Sequence, residues 1–322
     1  MKYLITGGAG FIGSHLSELI INNGHELTII DDLSTGRKSN LEKLSQNQNI
    51  NMVFDSIENV ALVNDLISNS DFVIHLAAAV GVKLIIDKPV HTLKTNIRGT
   101  EIILDSALKY NVPVFLASTS EVYGKLKKQP FSEESDCLYG PTTKYRWSYA
   151  VSKAVDEYLG LAYAAENNMK VVIGRFFNTV GPRQVGHYGM VLPRFIKSAL
   201  LNEDLIIYGD GTQRRCFGYV KEAAKAVYLL TQSETSFGEI FNIGNNSEIS
   251  INDLASKVIK YTNSNSNIIY KPFSEVYGKG FEDMDRRIPD TTKLKNVINF
   301  SFQKSIDDII GKTSFYIKKE IH

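Results

Sequence analysis

Apolar positions along this chain fall into short runs, and many of the stretches between them repeat their apolar residues at the period of a helix. The first run, Tyr3 to Ile5, meets Gly7, Gly10 and Gly13, and Phe11, Ile12, Leu16, Leu19 and Ile20 follow at helical spacing, which predicts strand, glycine turn and helix. Further strands are predicted at Glu26 to Ile30, near Asn51 to Phe54, and at Phe72 to Leu76, Val114 to Ala117 and Val171 to Phe176. Between them lie helices, the longest from about Pro89 to Tyr110 and another over Tyr149 to Ala165. This alternation predicts an α/β fold with a doubly wound parallel sheet. It breaks at Gly181-Pro182-Arg183, so a domain change is predicted near Asn178: residues 1–177 form the first domain, with a return at about 213–243, and residues 178–322 the second. No internal repeat or low-complexity tract interrupts the chain, and Asn263 to Asn267 reads as a polar loop.

Composition narrows the classes of function. With 322 residues, 43% hydrophobic and 22% charged, the chain has the make-up of a soluble globular protein. A formal net charge of +1 gives no electrostatic reason to expect nucleic acid or an anionic membrane as partner. Two cysteines, Cys137 and Cys216, with no signal peptide and no long apolar run, point to a reducing cytoplasm. Neither cysteine has metal-ligand spacing and the six histidines are scattered, so no metal is expected.

The glycine turn is the first chemical signal. Glycines let the backbone approach a pyrophosphate while the helix amides face its oxygens, although a glycine-rich hairpin carries the same spacing. Asp31, ending the second strand, stands where a carboxylate bonds the adenosine ribose and favours NAD over NADP, with Arg37 and Lys38 as the basic pair that would compensate for a phosphate. His75, in an apolar strand before Ala77-Ala78-Ala79, reads as a structural histidine. Ser118-Thr119-Ser120-Glu121-Val122-Tyr123-Gly124 follows a strand at the sheet edge where ligands of open parallel sheets bind, although any Ser/Thr-rich turn looks alike.

Tyr149 and Lys153 are four residues apart and share a helix face. Tyr123 and Lys127 match the same spacing, but Gly124 and Pro130 put them in a loop. A tyrosine acting as base near neutrality asks for about 4 kcal/mol of stabilisation of its anion. A neighbouring cation shifts it by about 1 to 3 units, so a positively charged nicotinamide has to supply the rest. The later part of the chain carries Arg183, Arg194, Arg214, Arg215, Arg286 and Arg287, which suit an anionic ligand such as a sugar diphosphate or, taken singly, an ordinary salt-bridged surface.

Taken together, Gly7-Gly8-Ala9-Gly10-Phe11-Ile12-Gly13, Thr119, Tyr149 and Lys153 resemble the extended short-chain dehydrogenase/reductase family acting on nucleotide sugars, over nearly the whole chain. The resemblance implies a Rossmann domain, a smaller carboxyl-terminal α/β substrate domain, tightly held NAD, a UDP-linked sugar as substrate, and homodimers packed through the two long helices. It implies cofactor contacts at Gly7, Gly10, Phe11, Ile12, Gly13, Asp31, Asp32, Ser34, Thr35 and Gly36. Further contacts fall at Ser56, Ile57, Leu76, Ala77, Ala78, Asn96, Tyr149, Lys153 and Phe176. Tyr149 becomes the base for the sugar 4-hydroxyl, Lys153 binds the nicotinamide ribose and lowers the tyrosine pKa, and Thr119 bonds the reacting oxygen. Ser120, Asn178, Arg183, Arg215 and Arg287 fall on substrate-contacting positions. One departure is Asp55-Ser56-Ile57, where Ser56 cannot supply the carboxylate contact to adenine that many relatives have.

The shared first step leaves a 4-ketone, and the later residues discriminate. Dehydratases of the family carry Thr-Asp-Glu where this chain has Thr119-Ser120-Glu121, and serine is a poor acid, which disfavours dehydration. A decarboxylase needs only a carboxylate beta to the ketone. Thr119 to Gly124, Gly140 to Lys153, and Tyr277 to Asp283 with Arg287 to Asp290 resemble the UDP-glucuronate decarboxylase and UDP-apiose/xylose synthase branches. Glu121 and Arg287 there fall on residues that handle the carboxylate and its loss; the alternative is an ion pair between loop and lobe. The synthase has a cysteine in place of Ser120, which counts against ring contraction. C4 epimerisation, and an idle NAD-dependent sensor or scaffold, stay as alternatives.

Overall fold

The computed structural model describes residues 1–81, 87–186, 190–273, 275 and 284–321. In chain order the first half runs β1 (Lys2–Thr6), α1 (Phe11–Asn22), β2 (Glu26–Ile30), β3 (Ile50–Val53), α2 (Val60–Ser68), β4 (Phe72–His75), α3 (Pro89–Tyr110), β5 (Val114–Thr119), α4 (Ser148–Asn167) and β6 (Val171–Phe176). The second half runs β7 (Thr179–Val180), α5 (Val191–Leu200), β8 (Leu205–Tyr208), β9 (Arg214–Cys216), β10 (Gly218–Tyr219), α6 (Val220–Thr231), β11 (Ile240–Ile243), β12 (Glu248–Ser250), α7 (Ile251–Thr262), β13 (Ile268–Lys271), β14 (Arg286–Arg287), α8 (Thr292–Ile298) and α9 (Ile306–Ile321).

Seven strands form one parallel sheet in the order β11-β6-β5-β4-β1-β2-β3. Leu4, Ile5, Val73, Ile74, Val114 and Phe115 are fully buried because helices cover both faces, as a parallel sheet requires. One face packs on α1 and α6 around Leu16, Ile20, Val227 and Leu230; the other packs beneath α2, α3 and α4 around Ile67, Ile103 and Ala107. The strand order reverses between β1 and β4, so Gly7 after β1 and Leu76 after β4 open a crevice at the carboxyl edge.

The return of the chain differs from the sequence expectation of about 213–243. β9 pairs with β12 and β14 in a separate three-stranded sheet, so the chain rejoins the large sheet only with α6, which packs on α1, and ends in edge strand β11. Leu294 of α8 then crosses back into the same core. The second lobe is built on α5, α7 and α9 with the β8–β13 pair, around Phe195, Leu205, Leu254 and Ile309. Phe11 and Ile12 pack against this lobe from the first turn of α1, which ties the glycine turn to it.

Candidate active site

A cleft of about 840 Å³ lies between the sheet's carboxyl edge and the second lobe. Its floor begins at the glycine turn. Gly7 has φ +72°, and a Cβ there would lie 2.9 Å from the backbone nitrogen of Ala77, while one on Gly13 would lie 2.3 Å from the carbonyl oxygen of Gly7. Only glycine allows this closure. Helix α1 has no side-chain cap and no acidic residue in its first turn, so its amides are left for an anion in the cleft.

Asp31 follows β2, its two oxygens accepting from the amides of Ala9 at 2.9 Å and Leu33 at 2.8 Å. Burial pushes its carboxyl up, against the pull of those amides. Arg37 reaches instead toward Glu320 and Lys38 lies over the ring of Phe54, so the basic pair has other partners. These features fit a dinucleotide with an unphosphorylated ribose. Asp32, Ser34, Thr35, Ser56, Ile57, Leu76, Ala77, Ala78 and Phe176 also line the cleft.

Gly36 and Asn96 do not line it. Gly36 lies behind the Asp31 carboxylate, where a side chain would collide at 2.7 Å. Asn96 is buried in α3; its Oδ1 accepts from Ala79 N at 2.8 Å and its Nδ2 donates to Ser152 Oγ at 3.1 Å, so it braces the wall from behind. Arg183 also departs from expectation. Its guanidinium is ion-paired with Glu18 of α1, outside the cleft lining, because the chain leaves β7 toward α1 and His15 bonds the carbonyl of Pro182 at 2.9 Å.

At the other end of the cleft β5 delivers Thr119, and the following turn delivers Ser120 and Glu121. Helix α4 brings Tyr149 and Lys153 to the same place. Tyr149 is buried, with the Thr119 side chain beside its phenol. Burial first, then the charge of Glu121, raises the phenol above its ordinary value. Lys153 Nζ donates to Asp156 at 2.8 Å, so the cation expected to lower the tyrosine has a carboxylate of its own.

Glu121 is held from both sides, with Oε2 2.5 Å from Arg146 and Oε1 2.7 Å from Arg287. Burial alone would raise its carboxyl, but the two guanidinium groups outweigh it and hold the group well below the usual range. The ion pair between loop and lobe therefore exists. Arg287 also donates to Ser120 Oγ at 3.3 Å and lies beside Arg215 in the β9–β14 register. Asn178 and Arg215 line the cleft; Asn178 Nδ2 donates to Cys216 O and Arg215 donates to Asp285 O.

Sequence reasoning missed Arg146 as the second partner of Glu121, and the wall made by Tyr208, Gln213 and Phe273. Arg146 sits three residues before Tyr149, a spacing that places both near one helix start, but only the fold brings Glu121 to it. Tyr123 is buried away from the cleft, donating to Asn242 Oδ1 at 2.7 Å and pushed up to about 12 by burial. His75 bonds Thr6 at 2.7 Å and Thr100 at 3.4 Å, a structural placement. The Tyr277 to Asp283 stretch lies outside the described residues. Among the described residues no cluster of three or more His, Cys, Asp or Glu could hold a metal, and no helix is long and apolar enough to cross a membrane.

A family model described as GDP-mannose 4,6 dehydratase matches residues 4–313. A UDP-N-acetyl-alpha-D-glucosaminuronate decarboxylase from Bacillus cytotoxicus is 46% identical over 300 residues, 93% of this chain and 92% of the relative. UDP-glucuronic acid decarboxylase 1 from Xenopus tropicalis is 35% identical, covering 99% of this chain and 73% of the relative. Among solved structures, UDP-glucuronic acid 4-epimerase from Bacillus cereus, in complex with UDP-glucuronic acid and NAD, superposes with a TM-score of 0.90 at 28% identity, covering 99% of this chain and 100% of the other.

Proposed function

Since this chain belongs to the GDP-mannose 4,6-dehydratase family, we propose that it is an NAD-dependent decarboxylase of a UDP-linked hexuronate. The observation that carries this reading is the buried Arg146–Glu121–Arg287 cluster beside Tyr149, which puts two guanidinium groups around a single carboxylate in the reaction end of the cleft. The relatives named as decarboxylases of UDP-linked uronates support it.

Residues 1–177, with α6 and β11, hold the cofactor, and the rest of the chain from 178 holds most of the nucleotide sugar. The glycine turn and α1 amides bind the pyrophosphate, Asp31 the adenosine ribose, and Lys153 the nicotinamide ribose. When bound, NAD supplies the two-electron acceptor for the sugar's C4. Tyr149 takes the proton of the 4-hydroxyl, and Thr119 bonds the same oxygen. The resulting ketone lies beta to the C6 carboxylate, so the C5–C6 bond breaks with its electron pair moving into an enolate whose oxygen the Thr119 and Tyr149 hydroxyls stabilise. A proton then adds at C5, and the hydride taken from C4 would return to it as Tyr149 gives its proton back to the oxygen. Arg287 and Arg146 hold the departing carboxylate, and Glu121 keeps the two arginines in place. Arg215 binds diphosphate.

The enzyme works in the cytoplasm, a reading supported by its two free cysteines. It is a homodimer through α3 and α4, whose outer surfaces carry exposed Val90, Val151 and Tyr158. C4 epimerisation is the second reading, favoured by the 0.90 TM-score to a UDP-glucuronic acid 4-epimerase. Incubating the purified protein with NAD and a panel of UDP-hexuronates, with and without a 2-acetamido group, and weighing the products decides between them. Loss of carbon dioxide supports decarboxylation; an unchanged mass with inverted C4 supports epimerisation.

A further inference from the structure

Helix α4 carries a carboxylate for which the chemistry above has no use. Asp156 stands three residues after Lys153, nearly one turn along the same buried face, and its Oδ2 accepts from Lys153 Nζ at 2.8 Å. The two side chains are 3% and 4% exposed. An ion pair at this spacing on a surface contributes only a few tenths of a kcal/mol. Here water is excluded, and each charge depends on the other.

The surroundings leave Asp156 little else to do. Glu157, its neighbour on α4, is taken by Arg175 of β6 at 2.7 Å. From α3, Thr100 lies beside the Asp156 carboxylate, whose Oδ1 has no hydrogen-bond partner among the described residues, while Asp105 accepts from the hydroxyl of Tyr163 further along the helix. His75 of β4 lies near Lys153 and is kept neutral, first by burial and then by that ammonium. Facing Tyr149 are Thr119 and Glu121 from the end of β5 and Arg146 from the turn before α4, with Arg287 beyond Glu121. After burial, Glu121 and Asp156 raise the proton affinity of the phenol; Thr119 and Arg146 oppose them.

We propose that Asp156 is a positioning residue for the base: by pinning Lys153 to α4 and offsetting its charge, it keeps Tyr149 a neutral phenol until the oxidised cofactor occupies the cleft. This rests on the NAD-dependent reading above. It makes the base conditional on the cofactor's redox state, since with Lys153 offset the nicotinamide's positive charge becomes the deciding one.

The test is the ionisation of Tyr149 itself, followed by the near-ultraviolet phenolate band of the NAD-loaded protein, with the Tyr149→Phe counterpart subtracted. Asp156→Asn and Asp156→Ala each remove the charge, the second leaving a small residue suited to a helix in case the first does not fold. Both are expected to ionise about one pH unit lower than the native protein. Asp156→Glu keeps the charge and is expected to titrate with the native protein. A midpoint that stays in place or rises in a folded neutral variant overturns the proposal. Cofactor content is measured separately on the same samples. If no protein retains NAD, the cofactor reading falls, and the phenolate fraction of the free proteins at one alkaline pH still decides the role of Asp156: a higher fraction in the neutral variants supports it, an equal or lower one overturns it.

Discussion

Glu121 and Arg287, 166 residues apart in the chain, meet at 2.7 Å and join the turn after β5 to strand β14 of the second lobe. Arg287 sits opposite Arg215 across the β9–β14 register, so the contact also relieves repulsion between two neighbouring guanidinium groups. Replacing Arg287 by Ala removes one of the two cations around Glu121. With UDP-glucuronate as substrate, kcat is expected to fall by about a hundredfold or more. Binding of UDP, measured by calorimetry, should change by less than about threefold, because the diphosphate is assigned to Arg215 rather than to Arg287. Equal damage to both would assign Arg287 to binding alone.

Tyr149→Phe removes the hydroxyl and leaves the ring. Turnover should drop by about a thousandfold, within the range that a positioned acid or base contributes. NAD should copurify with the variant in the same proportion as with the native protein, since the glycine turn and Asp31 are untouched. Loss of cofactor would contradict the role given to the phenol.

These assignments were unequally legible in the sequence. Gly7, Gly13, Asp31, Thr119 and Tyr149 stand at strand or helix ends, where position in an alternating pattern already says which sheet edge they occupy. Arg183 failed because its place depends on Glu18, 165 residues earlier, and no local pattern announces an ion pair across lobes. Asn96 and Gly36 failed for a different reason: both are one layer behind the surface they were expected to form. The Glu121 cluster needs three separate segments, so the sequence supports only the alternatives. Asp156 was within reach of spacing arguments, yet a Lys–Asp pair at i,i+3 is usually solvated, and only burial distinguishes this one. The return to the large sheet was placed a few residues early because Arg214 to Cys216 forms a strand of the wrong sheet.

Asp31→Ala should weaken NAD binding by about ten- to a hundredfold, the equivalent of one charge-assisted hydrogen bond to a ribose. NADP should lose little, since the carboxylate that repels its phosphate is gone. Because Arg37 and Lys38 are engaged with Glu320 and Phe54, the variant should not come to prefer NADP. Titration of each cofactor by calorimetry checks this, and a strong gain for NADP would mean that the basic pair turns inward.

Helix α4 also offers a prediction about assembly. Val151 and Tyr158 are seven residues apart, so they share one face, and they are 39% and 75% exposed. A tyrosine so exposed beside a valine suits an interface. Val151→Glu combined with Tyr158→Glu should convert the protein to a monomer in sedimentation at micromolar concentration while leaving its thermal unfolding cooperative. A native protein that sediments as a monomer would remove the basis for the dimer.

Acid should destabilise the fold in a window set by two histidines. An unfolded histidine takes its proton near 6.5. Burial lowers His75 to about 3 and His15 to about 4, so both stay neutral in the folded protein when the unfolded chain has already bound protons. A folded-state value below the unfolded one means the stability is complete above about 6.5 and is lost as the pH falls toward those lower values. Each such histidine gives a slope of about 1.4 kcal/mol per pH unit within the window. His75→Asn keeps a polar group between Thr6 and Thr100 and removes one titrating site. Urea unfolding at several pH values across the window should therefore return a slope smaller by about one proton for this variant, whatever its stability at neutral pH. If the slope were unchanged, His75 would be protonated in the folded state, and the buried ammonium of Lys153 beside it would need a different neighbour than the one described.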